Sequence, residues 1–362
     1  MSCSYPMWRI DWKKHLLGDK SPRRRHRLAS LFERRVHNGG VILQRPEFEM
    51  IQKEYPYLSA QIQQVPCGKC IQCRLSRSRD WANRCMLELK TQQNAFFFTL
   101  TYDTSHLTFA HHVDPETGET SVRPSLVVKD LQNFFKRFRK ACADFPGWKN
   151  KQRYFACGEF GSQNARPHYH AIIYNVPPLL LVGDPEYPSK DPKYPLWYAE
   201  QITKIWQNGH VVYGNVTWET CAYVARYILD KQLGKNRAAQ IKAQALHFPT
   251  EPWQDEFVLM SRRPGIGKDY YDQNKMEIYR ADQLIVSIRD KPQPVRPCRY
   301  YDRLYDLEQP EQMAAIKKRR SDQSSRAMKI TLQETSLTEP EYLELKERSK
   351  KAAVERLPRP DI

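Results

Sequence analysis

A chain of 362 residues, 40 % hydrophobic and 12 % aromatic, is long enough for one large domain or two modest ones with a sizeable core. Its net charge of +17 favours a polyanionic partner, nucleic acid before an anionic membrane surface. No apolar run approaches the ~20 residues of a spanning helix, "MSCSYPMWRIDWKKHLLGDK" has no secretory apolar segment, and nine scattered cysteines do not make a disulfide framework; a cytoplasmic protein without a membrane partner is expected.

Residues 1–64 read as a basic extension, in which "SPRRRHR" (21–27) is a solvated face, a flexible arm or a phosphate contact. "CGKCIQCRLSRSRDWANRCMLELK" (67–90) places a cysteine cluster before a basic helix starting near Arg74 and carrying Arg77 and Arg84. "FFFTLTYD" (96–103) has the aromatic and threonine content of a buried strand. Around "DPETG", residues 111–125 suit an exposed hairpin tip.

In "DLQNFFKRFRKACADF" (130–145), Leu131, Phe134, Phe135 and Phe138 fall at i, i+3, i+4 and i+7, one apolar stripe of a helix, with Lys136 and Lys140 off it. "RYFACGEF" (153–160) and "HYHAIIYN" (168–175) read as a strand hairpin through "GSQNARP". "GHVVYGNVTW" (209–218) reads as strand, and "ETCAYVARYILDKQLG" (219–234) as a helix with Gly234 near its C-cap. Beyond about 310 the chain is charged and poor in aromatics; "IKKRRSDQSSR" is expected to be mobile and "EPEYLELKERSKKAAVERL" a solvent-exposed helix. The order suits an α+β domain, a central antiparallel sheet flanked by helices, over 65–275, with a charged, partly helical or mobile region at 276–362.

On a strand, residues i and i+2 share a face ~6.5–7 Å apart. His168 and His170 therefore project together while Tyr169 points away. They are either a chelate for a metal or two histidines of a polar strand face. Glu159 lies across the hairpin; two imidazoles and a carboxylate leave open positions for a phosphate oxygen and water, which suits Mg²⁺ or Mn²⁺. Otherwise Glu159 is an exposed hairpin carboxylate. Tyr223 and Tyr227, at i and i+4, present both hydroxyls to one spot. Such pairs usually pack, but tyrosine can attack phosphodiesters when a cation such as Lys231 or a metal favours phenolate. Arg262 and Arg263 precede a Pro-Gly-Ile-Gly turn, either a phosphate grip or a basic surface turn. Cys67, Cys70 and Cys73 form C-x2-C-x2-C. Cys85 would lie ~18 Å up the helix axis, so a fourth zinc ligand would have to come from elsewhere; reduced thiols are the simpler expectation.

Taken together, "FFFTLTYD", "GEFGSQNARPHYHAIIYN" and "YVARYILDK" resemble motifs I, II and III of the HUH endonucleases that initiate rolling-circle replication. The tyrosine pair resembles the microvirus form, and "VPCGKCIQCRLSRSRDWANRC" and "MSRRPGIG" resemble the gokushovirus initiators. The resemblance, over about 65–270, implies a sheet-centred nickase with His168 and His170 as metal ligands and Glu159 as the third, and with Tyr223 and Tyr227 as nucleophiles assisted by Lys231. Single-stranded phage origin DNA would be the substrate, with Arg77, Arg84, Lys136, Lys140, Arg166, Arg226, Arg262 and Arg263 as candidate contacts. A host helicase and a host DNA polymerase would be partners, and no small-molecule cofactor is expected. The rivals are a relaxase or transposase-type enzyme of the same superfamily and a non-catalytic basic DNA-binding or packaging protein.

Overall fold

The computed structural model describes residues 3–10, 36–37, 40–54, 62–113, 117–161, 166–188, 195–230 and 254–355. "SPRRRHR", Lys231, Gly234, the first residues of "DPETG" and the middle of "GSQNARP" lie outside them. The chain divides into two compact units, one drawn from Met1–Ser76 with Lys317–Leu357, the other chiefly from Arg77–Ile316.

In the first unit, strands β1 (Met7–Ile10), β2 (Val36–His37), β3 (Gly40–Leu43) and β4 (Gln63–Val65) form an antiparallel sheet in the order β2-β3-β1-β4. Segments far apart in sequence meet here, so the unit does not follow the division expected from composition. The Glu347 carboxylate accepts from Ser4 Oγ at 2.5 Å and from the Ile71 amide at 2.8 Å. The second bond occupies an orphan N–H at the start of helix Ile71–Leu89, where an anion also meets the positive end of the helix dipole. That helix therefore begins at Ile71, three residues ahead of the start expected from the sequence.

In the second unit the strands are β5 (Ala95–Tyr102), β6 (Phe109–Val113), β7 (Thr120–Pro124), β8 (Arg153–Phe160), β9 (Pro167–Tyr174), β10 (Glu186–Tyr187), β11 (Leu196–Tyr198), β12 (Gly209–Asn215), β13 (Phe257–Met260), β14 (Leu284–Ile288) and β15 (Lys291–Val295). Seven of them form one antiparallel sheet in the order β10-β11-β12-β5-β9-β8-β13. β6 and β7 pair as the hairpin expected around "DPETG". The fold is α+β, as the sequence implies.

β9 is covered on both faces. Tyr169, Ala171 and Ile173 join one core with Leu131, Phe134, Phe135 and Phe138 of helix Val128–Ala143. Ile172 and Tyr174 join another with Ala82 and Cys85 of helix Ile71–Leu89 and Cys221, Val224 and Ala225 of helix Trp218–Asp230. The alternation of a strand thus assigns one helix to each set of residues: the predicted aromatic stripe covers the face that Tyr169 occupies.

The segment expected to be mobile lies within helix Pro310–Gln333. Its alanines, lysines, arginines and glutamines favour helix. At its start Met313 and Ile316 are buried with Tyr301, Tyr305, Leu284 and Val286, which anchors the first turns. The solvent-exposed helix expected after it is present at Glu339–Glu355.

Candidate active site

The hairpin register sets Glu159 opposite His168 and Cys157 opposite His170, while β5 sets Thr99 opposite His170 on its other side. Alternation then sends the side chains of Glu159, His168 and His170 to the face covered by helix Trp218–Asp230, and sends Tyr169 to the opposite face. There the Tyr169 hydroxyl takes the Val127 amide at 2.9 Å and lies 2.7 Å from the Tyr102 hydroxyl.

A single carboxylate oxygen gathers the site. Glu159 Oε1 lies 2.7 Å from His168 Nε2 and 2.8 Å from His170 Nε2, and it accepts the Tyr223 hydroxyl at 2.7 Å. The Tyr223 hydroxyl is also 3.5 Å from His170 Nε2. On the far side of each ring, His168 Nδ1 lies 3.1 Å from the Arg166 carbonyl and His170 Nδ1 lies 2.9 Å from Thr99 Oγ1. Phe97 stacks on the His170 ring at 5.2 Å and 14°. Phe97 and Thr99 were not singled out in the sequence; their i, i+2 spacing inside "FFFTLTYD" puts both on the His170 face.

The electrostatics follow from this packing. Burial raises the Glu159 carboxyl, but the charge of His170 and the hydrogen bonds from both imidazoles outweigh it and hold it at about 2. For His168, burial lowers the pKa and the Glu159 hydrogen bond and charge more than reverse it, leaving it raised. For His170, full burial wins over the attraction of Glu159 and leaves it lowered.

These residues fit a hard divalent cation. Their ligand atoms lie within 4.8 Å of one another. With His168 Nδ1 donating to a carbonyl, Nε2 must be either protonated or directed at a cation, since its other neighbour is a carboxylate oxygen. Glu159 Oε2 is buried and finds no hydrogen-bond partner among the described residues, an acceptor lone pair that a cation would satisfy.

The predicted DNA contacts divide. Arg84 is committed to the fold. It is 8 % exposed, sandwiched between Trp81 at 3.9 Å and Tyr300 at 4.0 Å, and it donates Nε and Nη2 to the Ile266 carbonyl at 3.0 and 2.9 Å. Its neighbours come from distant segments, so its place among the helix's solvent-facing arginines was the natural reading. The Pro-Gly-Ile-Gly turn is likewise internal: the Gly267 amide donates to Glu88 Oε2 at 2.5 Å and the Gly265 carbonyl accepts from Arg153 at 3.0 Å. Its backbone is not offered to phosphate, although Arg262 and Arg263 just before it are exposed. Lys136 and Lys140 are exposed, but on the helix over the opposite face of the sheet from the histidines. Arg166 donates Nε and Nη2 to the Tyr102 carbonyl, and Arg77 is partly exposed. The side chains of Arg226 and Tyr227, although within helix Trp218–Asp230, lie outside the described residues, as does all of Lys231.

Comparison with known proteins agrees with this geometry. Residues 95–232 match the family model for replication-associated proteins of the ORF2 type, a span containing every residue of the Glu159 cluster. The chain is 29 % identical over 301 residues to the replication-associated protein ORF2 of Spiroplasma virus 4, covering 82 % of this chain and 85 % of that one. It is 31 % identical over 175 residues to the replication-associated protein VP4 of Bdellovibrio phage phiMH2K, 46 % of this chain and 48 % of the relative. It is 27 % identical over 168 residues to replication-associated protein ORF4 of Chlamydia phage 1, 46 % of this chain and 38 % of that one. No solved structure matches. No helix among the described residues is long and apolar enough to cross a membrane.

Proposed function

We propose that this chain, a phage replication-associated protein by the similarities above, initiates rolling-circle replication by nicking single-stranded origin DNA through a tyrosine nucleophile. The observation that carries this reading is the shared oxygen: His168, His170 and the Tyr223 hydroxyl all meet Glu159 Oε1. A packing tyrosine would have no reason to direct its hydroxyl to a buried carboxylate flanked by two imidazoles.

In this reading Glu159, His168 and His170 hold Mg²⁺ or Mn²⁺, which when bound supplies Lewis-acid polarisation of the scissile phosphate. The Tyr223 hydroxyl, or that of Tyr227 one turn on, gives up its proton and attacks phosphorus in line. A tyrosine O–P bond forms, the P–O3′ bond breaks, and the leaving 3′-oxygen takes a proton. The products are a 5′-phosphotyrosine and a free 3′-OH, with the phosphodiester energy retained and no ATP consumed. A host DNA polymerase extends the 3′-OH behind a host helicase. The second tyrosine then cuts the regenerated origin, and the freed 3′-OH attacks the first phosphotyrosine to close a circle. Arg77, Arg166, Arg262 and Arg263 would hold the strand by its phosphates.

The test is incubation of the full chain with labelled single-stranded phage origin DNA and Mg²⁺ or Mn²⁺, followed by mass spectrometry of the protein. A 5′-linked tyrosine adduct and a free 3′-OH are expected. Binding without cleavage, in either metal, would instead make this a DNA-binding or packaging protein.

A further inference from the structure

The first unit contains a second convergence of donor atoms, unrelated to the nicking site. Cys67 and Cys70 flank the Gly68-Lys69 turn, Cys73 stands in the first turn of helix Ile71–Leu89, and Cys3 arrives from just ahead of β1. Their four sulfurs lie within 4.8 Å of one another. Cys3, Cys70 and Cys73 are buried, at 3 %, 6 % and 4 % exposure.

Two features separate this cluster from four cysteines that merely pack together. The first is spacing. Cys3 Sγ and Cys70 Sγ are 3.8 Å apart and all four thiols are free. A disulfide needs about 2.05 Å. A tetrahedral ion with bonds of about 2.3 Å to sulfur has ligand–ligand edges about 1.63 times longer, about 3.8 Å.

The second feature is the direction of the backbone. The Lys69 and Cys70 amides donate to Cys67 Sγ at 3.4 and 3.3 Å, the Cys73 amide to Cys70 Sγ at 3.5 Å, and the Cys67 amide to Cys3 Sγ at 3.2 Å. A neutral thiol is a weak acceptor; amides directed at sulfur spread the charge of a thiolate and orient a ligand. Gly68, at φ +74°, supplies the left-handed residue that lets both turn amides face Cys67.

We propose that Cys3, Cys67, Cys70 and Cys73 hold a structural zinc ion. Four protein donors close the coordination sphere, so the ion ties chain segments and performs no chemistry. It would join residue 3 to the turn that starts helix Ile71–Leu89, across more than sixty residues of chain. Cys3 is the donor missing from the C-x2-C-x2-C motif.

The full chain, expressed without metal supplement and purified under reducing conditions, should carry one zinc per chain by elemental mass spectrometry. The zinc should resist dialysis against EDTA and leave on titration with a thiol-specific mercurial. Cobalt(II) exchanged into the site should give the sulfur-to-metal charge transfer of four thiolates. Cys3→Ser should lower that band by about a quarter and weaken zinc retention, while His168→Ala with His170→Ala should keep the full zinc content. If the serine variant fails to fold, the cobalt spectrum of the unsubstituted chain decides. A metal-free chain with four freely alkylated thiols, a disulfide within the set, iron in place of zinc, or zinc lost with the histidines would each overturn the assignment.

Discussion

Tyr223 donates its hydroxyl to Glu159 Oε1 at 2.7 Å, so the candidate nucleophile and a candidate metal ligand share one buried hydrogen bond. Tyr223→Phe keeps the ring and its edge contact with His170 at 5.0 Å while deleting that bond. First-strand nicking should fall and repeated cutting and joining should stop, with any remaining adduct mapped to Tyr227. The double Phe variant should bind DNA and form no adduct. An adduct on the double variant would place the nucleophile outside helix Trp218–Asp230.

Glu159→Gln, His168→Ala and His170→Ala should each lower cleavage by more than about 100-fold, because loss of a direct ligand costs more than the ~10–100-fold typical of an orienting partner. Thr99→Val belongs to that milder class: it removes the hydroxyl behind His170 Nδ1 and should weaken Mn²⁺ binding by roughly 10–100-fold. DNA affinity should change little in any of them, since phosphate contacts supply most of it. Calorimetric Mn²⁺ titration beside a filter-binding curve separates the two effects.

Cation affinity should rise with pH through the imidazole range. Protonated Nε2 cannot ligate, and the raised pKa of His168 means that its proton leaves later than that of an ordinary histidine. The sign is fixed: acid weakens binding and alkali strengthens it. Mn²⁺ titrations on either side of neutrality check it, and stronger binding in acid would remove His168 from the ligand set.

Replacing Arg77, Arg262 and Arg263 with Gln should reduce the log–log salt slope of single-strand binding by roughly 0.7 for each phosphate left without its cation. Lys136→Gln and Lys140→Gln, on the far side of the sheet, should leave that slope alone. The opposite pattern in fluorescence anisotropy would route the DNA over helix Val128–Ala143.

Arg84→Ala and Glu88→Gln should act on stability. Glu88 is wholly buried and forms an ion pair with Arg153. Neutralising one partner leaves the other charge buried, a loss of about 3–5 kcal/mol. Arg84→Ala removes two hydrogen bonds to Ile266 and an aromatic sandwich. Chemical denaturation should show both losses, with the salt slope of DNA binding unchanged.

The sequence was most legible where a local pattern sufficed. Strand alternation placed His168 and His170 together with Tyr169 opposed, and the helical stripe placed Leu131, Phe134, Phe135 and Phe138 in one core. It was least legible where a residue's role depends on distant neighbours. Arg84 looks solvent-facing in its own helix until Tyr300 and the Ile266 carbonyl close over it. Cys3 has no local signal linking it to Cys67. Glu347 sits among charged residues and gives no sign that it meets the Ile71 amide.

The order of the sheet also governs when the proposed activity can arise during synthesis. Glu159, His168 and His170 lie close together in sequence, yet β9 gains its inner neighbour only by pairing with β5, about seventy residues earlier, and Tyr223 follows His170 by 53 residues. Pairings of such separation form late and slowly. A ribosome-bound chain short of helix Trp218–Asp230 can carry the full histidine motif and still have no nucleophile. Nicking by the proposed route therefore stays silent until most of the scaffold has folded, which spares the phage genome from cutting by truncated products.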